Sequence, residues 1–262
     1  MAGSRYERII EKVFFDHYVA GSDRVPFGRE ELDTAADALG IERVNNPPDM
    51  IYSFRYRVAL PDAVLATADP DHTWVIRGEG KGRYAFAHVR DFRLAPHPDL
   101  VATKIPDATP GVVEMYALTD EQALLAKLRY NRLIDVFTGL VCYSLQNHLR
   151  TTVDGSQIEA DEVYIDLDSH GVHYVLPVEA KGGSESLGRI QFEQGLDLCR
   201  EKFPLLVPRL IGSQFTSGGL IALFELEETE EGFGIVVERH YRLVAPEELS
   251  DDELRQYRRR LG

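Results

Sequence analysis

Three charged residues in two neighbouring segments have the types and spacing that divalent-metal chemistry requires. Asp161 belongs to the first segment, Glu179 and Lys181 belong to the second, and the sequence Asp-Ser-His-Gly lies between them. Mg²⁺ prefers carboxylate oxygens, and it can polarise a phosphoryl oxygen and lower the pKa of a bound water. A lysine two residues beyond Glu179 can orient or deprotonate that water. The pattern predicts a magnesium site that hydrolyses a phosphate ester.

The turn between the segments sets which side chains face each other. An Asp favours the start of a type I turn, and a Gly supplies the left-handed residue that a three-residue loop over residues 169–171 needs. With that loop, Asp161 lies opposite Glu179 across a β-hairpin. Glu159 then lies opposite Lys181 on the same face, where it could bind a second ion or orient water.

The residues alone leave alternatives to this arrangement. The charged end of the hairpin could be a solvated surface, or an acid and the lysine could form a cross-strand ion pair. A loop with an even number of residues would move Asp161 to the other face. Glu162 and Asp166 are further candidates for the first acid, although the predicted register points both away from Glu179.

Helices and strands on either side must position this hairpin. A helix is predicted from Thr119 to about residue 147, because Thr119 can cap it and apolar residues recur at helical spacing. The order helix, three strands, helix, strand describes an α/β (α+β) fold, a mixed sheet flanked by helices. The other predicted elements are an extended piece at 148–153, the hairpin at 157–181, a helix at 186–201, strands near 205–212, 219–226 and 233–243, and a helix at 246–259.

The chain before Pro110 has a different pattern of short helices and strands. Three short helices followed by strands are typical of a winged helix-turn-helix, and equally of small helical bundles without a nucleic-acid role. We therefore predict two domains, residues 1–115 and 116–262, of which the first aids recognition. Its predicted elements are helices at 5–19, at 28–39 and from Pro47 or Pro48 onward, then strands at 72–77 and 83–89 around a glycine-rich turn.

The composition is that of a folded protein, with 44% hydrophobic residues and a formal net charge of −14. No apolar run reaches the roughly 18 residues of a membrane span and the N-terminus is polar, so we expect a cytoplasmic protein without membrane contact. Two cysteines support neither a disulfide framework nor a thiolate metal site. Binding to nucleic acid would need local basic patches, and the candidates are Arg55, Arg57, Lys81 and Arg83.

The motif formed by Asp161 and the triplet Glu179-Ala180-Lys181 resembles that of the PD-(D/E)xK nuclease superfamily, over about residues 119–226. Segments 48–57, 129–135 and 177–183 are also similar to those of type II restriction endonucleases from bacteria and archaea. Two features depart from the superfamily pattern. No Pro precedes Asp161, and the gap from Asp161 to Glu179 is long.

This resemblance implies a restriction-endonuclease-like core and Mg²⁺-dependent hydrolysis of a DNA phosphodiester. It assigns metal binding to Asp161 and Glu179 and the role of catalytic lysine to Lys181, and it gives Gln191 on the following helix a supporting role near a phosphate or the metal-bound water. The expected partners are double-stranded DNA, a second copy of the chain and a cognate DNA methyltransferase. A structure-specific nuclease of repair or junction resolution and a non-catalytic DNA-binding protein remain alternatives.

Overall fold

The computed structural model describes residues 4–116, 121–183, 187–216, 218–230 and 232–261. The chain has a mixed α/β fold and forms two compact units, both of them discontinuous. The predicted boundary after residue 115 divides the chain only once. A change of pattern along the sequence marks where local structure changes, but it does not show that the later segments Arg150–Ile158 and Gly188–Glu193 belong to the first unit. The first unit comprises Met1–Phe92, Arg150–Ile158 and Gly188–Glu193, and the second comprises Arg93–Leu149, Glu159–Leu187 and Gln194–Gly262.

The first unit packs short helices against a three-stranded antiparallel sheet in the order β1-β3-β2. Strand β1 was not predicted, because its five residues include Pro26, which an edge strand tolerates. The glycine-rich turn does join two strands, as predicted. The elements are α1 (Arg5–His17), β1 (Arg24–Gly28), α2 (Glu30–Ala38), α3 (Pro47–Tyr56), α4 (Asp62–Leu65), β2 (His72–Gly78) and β3 (Arg83–Arg90).

Local signals explain where these helices begin, and aromatic packing explains how they are held. Ser4 starts α1 with a capping box, since its hydroxyl accepts a hydrogen bond from the Glu7 backbone N–H at 3.2 Å. The apolar side of α1 is buried, and the Phe14 ring lies 5.0 Å from Trp74 and 5.1 Å from Phe86. These edge-to-face contacts join α1 to the sheet.

The remaining elements are β4 (Arg93–Leu94), β5 (Thr103–Pro106), α5 (Gly111–Tyr116), α6 (Glu121–Tyr130), α7 (Leu133–Thr138), β6 (Val141–Val153), β7 (Ser156–Leu167), β8 (His173–Gly182), β9 (Leu187–Gly188), α8 (Arg189–Lys202), β10 (Val207–Pro208), β11 (Leu210–Phe215), β12 (Leu220–Thr229), β13 (Gly232–Val244) and α9 (Asp251–Arg258), with 3₁₀ turns at Pro246–Glu248 and Arg259–Leu261. Most of these strands build a large mixed sheet, whose strand order in the described residues is β5-β13-β12-β11-β8-β7-β6, with β10 also beside β8. Strands β4 and β9 form a separate two-stranded sheet.

Helices cover both faces of this sheet in the second unit. Helices α6 and α7 bury their apolar residues with those of β8, β11 and β12 in one core cluster. On the other face, Gly195 lets α8 lie close to β8, because a Cβ at Gly195 would stand 3.2 Å from Pro177 Cγ. The longest helix in the described residues, α8, has 14 residues. None of the described helices has the length and apolar character needed to cross a membrane.

The predicted helix from residue 119 to 147 is wrong beyond α7. Thr119 lies outside the described residues. Arg132 has a left-handed backbone and separates α6 from α7, and Gly139, with φ of 72°, ends α7. The chain then enters β6, which contains Cys142. Apolar residues on both sides of Gly139 satisfy a helical period, so the pattern alone hides the change to a strand.

Candidate active site

The hairpin formed by β7 and β8 has the predicted register. Its strands pair antiparallel from Leu167 opposite His173 to Glu162 opposite Val178. The backbone N–H of residue 168 donates to the carbonyl of residue 172 at 3.2 Å, and Gly171 has φ of 80°. The loop therefore has three residues with a left-handed glycine, as predicted, and the pairing holds back to Glu162 and Val178, one residue short of Asp161 and Glu179.

The Asp161 carboxylate is tied to the backbone of the facing strand. The N–H of Ala180 donates to Asp161 Oδ2 at 2.9 Å. In an antiparallel ladder, pairs of facing residues that exchange backbone hydrogen bonds alternate with pairs that do not. If the ladder of β7 and β8 continued regularly, the Ala180 N–H would donate to the carbonyl of residue 160. The carboxylate takes the place of that carbonyl. Asp161 thus contacts the peptide group that joins Glu179 to Ala180.

Glu179 and Lys181 point away from the side of β8 that α6 and α7 cover, onto the same face as Pro177, against which α8 packs. Val178 and Ala180 belong to the core cluster beneath α6 and α7, and side chains alternate along a strand. Glu179 is only 6% exposed, whereas Asp161 and Lys181 are half-buried. The residue of β11 that pairs with Glu179 is Gly212, which has no side chain, and the residue that pairs with Lys181 is Gln214.

The donor set fits a hard divalent ion better than a soft one. Asp161 and Glu179 supply carboxylate oxygens, and backbone carbonyls and water are normal further ligands of Mg²⁺. Within the described residues, no group of three or more His, Cys, Asp or Glu side chains is arranged to hold a metal. A structural zinc site, which takes four protein ligands, is therefore a poor fit to the described residues.

Two other predicted residues occupy different places. Glu159 is in the second unit, with its side chain 22% exposed, and its Oε1 lies 3.4 Å from Nδ1 of His148, a residue that the sequence analysis did not assign to the site. Gln191 is in the first unit and is buried. Its Oε1 accepts a hydrogen bond from the Gly188 N–H at 3.2 Å, which caps the start of α8. That cap gives Gln191 a structural role.

Glu162 lies on the opposite face of the hairpin and is completely buried. Its Oε1 accepts a hydrogen bond from Ser144 Oγ at 2.5 Å and lies 3.4 Å from Arg129 Nε. In the orientation that satisfies both neighbours, the Asn147 amide donates to the same oxygen at 3.0 Å. Burial raises the pKa of Glu162, and Ser144 and Arg129 oppose that shift.

Asp166 is the second completely buried acid on that face. Burial raises its pKa to about 6, while the Cys142 thiol and the Arg209 charge act in the opposite direction. Cys142 is itself buried, and desolvation raises the pKa of its thiol. As the register predicts, Glu162 and Asp166 lie on the side that α6 and α7 cover, which is the side opposite to Glu179. No alternation pattern could have shown how deeply they are buried.

The four predicted DNA-binding residues lie in the first unit. Arg55 of α3 donates from Nε to the Ile76 carbonyl at 3.2 Å, which ties the end of α3 to β2. The Arg57 guanidinium follows α3, is exposed, and lies 5.0 Å from the Tyr52 ring centroid. The remaining two are exposed at the turn between β2 and β3. They are Lys81 and Arg83.

Asp161, Glu179 and Lys181 lie on the two strands of one hairpin, and Asp161 Oδ2 accepts a hydrogen bond from the backbone of Ala180, the residue between the other two. Comparisons of the chain with known protein families, with curated proteins and with solved structures found no match.

Proposed function

We propose that the protein is a Mg²⁺-dependent, sequence-specific endonuclease of double-stranded DNA, similar to type II restriction enzymes. One observation carries the proposal: the Ala180 N–H holds the Asp161 carboxylate between Glu179 and Lys181. The PD-(D/E)xK motif needs its acids and lysine at one site, and this hydrogen bond supports such a site for residues that the hairpin loop separates in the sequence. The same residues would serve a homodimer, in which each copy cuts one strand.

Each group has a defined task in this proposal. Asp161 and Glu179 would hold Mg²⁺, which supplies polarisation of the phosphoryl oxygens when bound. Lys181 orients the attacking water or accepts its proton as the water oxygen bonds to phosphorus and the bond to the leaving sugar oxygen breaks. Glu159 lies two residues before Asp161 on the same strand face, where it can bind a second ion or orient water. Gln191 is left with its role as a helix cap.

The strand and helix order supports a restriction-endonuclease-like core. Along the chain, α7 is followed by β6, β7 and β8, then by α8 and β11, which is the order helix, three strands, helix, strand. Strand β8 carries two of the proposed site residues in the interior of the sheet, antiparallel to β7 and parallel to β11. Interior strands are held from both sides, which suits a site that needs fixed geometry.

The topology of the first unit supports DNA recognition. Helices α1, α2 and α3, the short strand β1 and the β2–β3 hairpin in the sheet order β1-β3-β2 are similar to a winged helix-turn-helix, to which this unit adds the four-residue helix α4. In that reading α3 is the recognition helix, with Arg55 and Arg57 at its C-terminal end, and the turn with Lys81 and Arg83 is the wing. Local basic groups of this kind would bind phosphates despite a net charge of −14, with affinity that falls as salt rises.

The proposal is tested by incubating purified protein with unmethylated phage and plasmid DNA, in Mg²⁺ or in chelator. We expect discrete fragments in Mg²⁺ only, and loss of cutting in Glu179→Ala and Lys181→Ala. The matched control is Lys202→Ala, which removes a lysine paired with Glu201 at the end of α8 and should cut normally. Methylation of the DNA by a cognate methyltransferase should protect it.

Other results would replace the proposal. Cleavage of branched DNA only would indicate a structure-specific nuclease of repair or junction resolution. Binding of duplex DNA with no cleavage in any metal would indicate a DNA-binding protein. Normal cutting by Lys181→Ala would overturn the assignment of the site, even if the protein is a nuclease. Sedimentation of the free protein and of its DNA complex tests the homodimer.

A further inference from the structure

His148 has a backbone conformation that its place in the fold does not explain. Four non-glycine residues in the described chain have positive φ. Three of them, Asp71, Arg132 and Asp154, lie in turns, where such a conformation is common. His148, with φ of 44°, lies within the 13-residue strand β6. A left-handed residue inside a strand is strained, and such strain is often kept where a side chain must be aimed.

The side chain of His148 is directed to the face that carries the proposed active site. Its Nδ1 lies 3.4 Å from Oε1 of Glu159, and the imidazole remains 46% exposed. Glu159 and Asp161 share a face of β7, about 6.6 Å apart along the strand. With Nδ1 facing a carboxylate, Nε2 lies on the far side of the ring and points away from Glu159. Carboxylates orient functional histidines in this way.

We propose that His148, oriented by Glu159, binds a DNA phosphate adjacent to the one that is cut, through its Nε2–H. The inference rests on the proposed function and adds a substrate-binding residue to it. An imidazole N–H is a good donor to a phosphate oxygen. The strained backbone of His148 is then the means of pointing this donor at the strand of DNA.

Replacement of His148 by glycine tests the proposal, because glycine adopts positive φ without strain. We expect the melting temperature of His148→Gly to stay within about 1–3 °C of the wild type, because relief of the left-handed conformation offsets the entropy that glycine adds to the unfolded chain. The same variant should bind a DNA duplex about 10- to 100-fold more weakly, through loss of a charged hydrogen bond. In cleavage, the loss should fall mainly on KM, and added imidazole should restore part of it.

Two further variants serve as controls. Asp71→Gly relieves the same conformation in an exposed turn of the first unit, and we expect it to leave DNA binding and cleavage unchanged. His148→Asn keeps a residue that tolerates the left-handed region but cannot reproduce the imidazole, so it should lose affinity as His148→Gly does. It also replaces His148→Gly as the test variant if the glycine variant fails to fold.

DNA affinity separates this inference from the proposed function. Absence of cleavage by the wild type would refute the nuclease, whatever His148 does. Equal affinity of the wild type and His148→Gly, measured by fluorescence anisotropy in Ca²⁺ to prevent cutting, would refute the phosphate contact even in an active nuclease. A fall in melting temperature together with a loss of affinity that imidazole does not restore would show that His148 is structural.

Discussion

The two faces of the β7–β8 hairpin carry acids from the same strands but give them different environments. On one face, Asp161 is half-buried and accepts a backbone hydrogen bond. On the other, Glu162 and Asp166 are completely buried on the side that α6 and α7 cover. Burial raises the pKa of both residues. The difference teaches that the packing around each acid, more than its residue type, decides how far the carboxylate is desolvated.

The largest expected effect comes from removing one charge on the site face. Glu179→Gln keeps the shape of the side chain and should reduce the cleavage rate by about 10³-fold or more, because a lost metal ligand removes several kcal/mol of charge stabilisation. Glu162→Gln on the opposite face is the comparison, and it should still cut. Cleavage rates and urea midpoints measure both, and a fully active Glu179→Gln would remove the distinction between the faces.

The second effect is on stability and concerns the face that α6 and α7 cover. Arg129→Met leaves the buried Glu162 carboxylate without its cation and should lower the unfolding free energy by about 3 kcal/mol. Adding Glu162→Met to it should recover most of that loss, because both charges are then gone. Urea denaturation of the two single variants and the double variant completes the cycle. If Arg129→Met and the double variant were equally stable, the buried Glu162 carboxylate would not depend on the Arg129 charge.

A smaller effect on stability depends on pH. The pKa of Asp166 rises from 3.8 to about 6 on folding, so between these values the native state binds more protons than the unfolded state. Stability from this group is present below the unfolded pKa and is lost as pH rises through about 6. Asp166→Asn should therefore match the wild type near pH 4 and exceed it by about 2–3 kcal/mol above pH 6.

Asp168 of the same hairpin provides a control of opposite sign. Backbone hydrogen bonds, led by that from Val172, lower the pKa of Asp168. Its contribution to stability is present above the unfolded pKa and is lost as pH falls through the folded one. Asp168→Asn should be less stable than the wild type at neutral pH, with a difference that shrinks in acid. Denaturation at several pH values tests both variants, and parallel curves for Asp166→Asn and the wild type would contradict the burial argument.

The smallest effect concerns the loop that separates the two faces. Gly171→Ala places a side chain at φ of 80° and should cost about 1 kcal/mol of stability. Cleavage should persist, because the buried side of β8 holds the register as well. Ser169→Ala in the same loop is the matched control and should be nearly neutral. Loss of cleavage in Gly171→Ala at full stability would show that the loop alone sets the register.

Local sequence chemistry was a good guide to the hairpin and a poor one to its neighbours. An Asp before the loop and Gly171 within it predicted the loop length, and the register of β7 and β8 followed. The same reasoning extended a helix through Gly139 into what is β6, because a run of apolar residues satisfies either period over a short stretch. It also missed β1, whose five residues include a proline.

The site divides in the same way. That Glu179 and Lys181 share a face follows from alternation along a strand, and the sequence shows it. The structure adds the hydrogen bond from Ala180 to Asp161, the cap that occupies Gln191, and the contact between His148 and Glu159. The first and third of these contacts join residues that are more than ten positions apart, so no short segment shows them. The Gln191 cap is local, and the spacing of Gly188 and Gln191 at the start of a helix could have indicated it.

The amino-acid sequence by itself determined the turn, the register and the alternation that sorts the acids of β7 onto two faces, since these depend on the conformations that neighbouring residues allow. Only the tertiary structure decided which face α6 and α7 cover and hence which acids lose water. It also decided that His148 adopts a left-handed backbone within a strand. Desolvation and strain arise from packing between segments far apart in the chain, and so no local pattern records them.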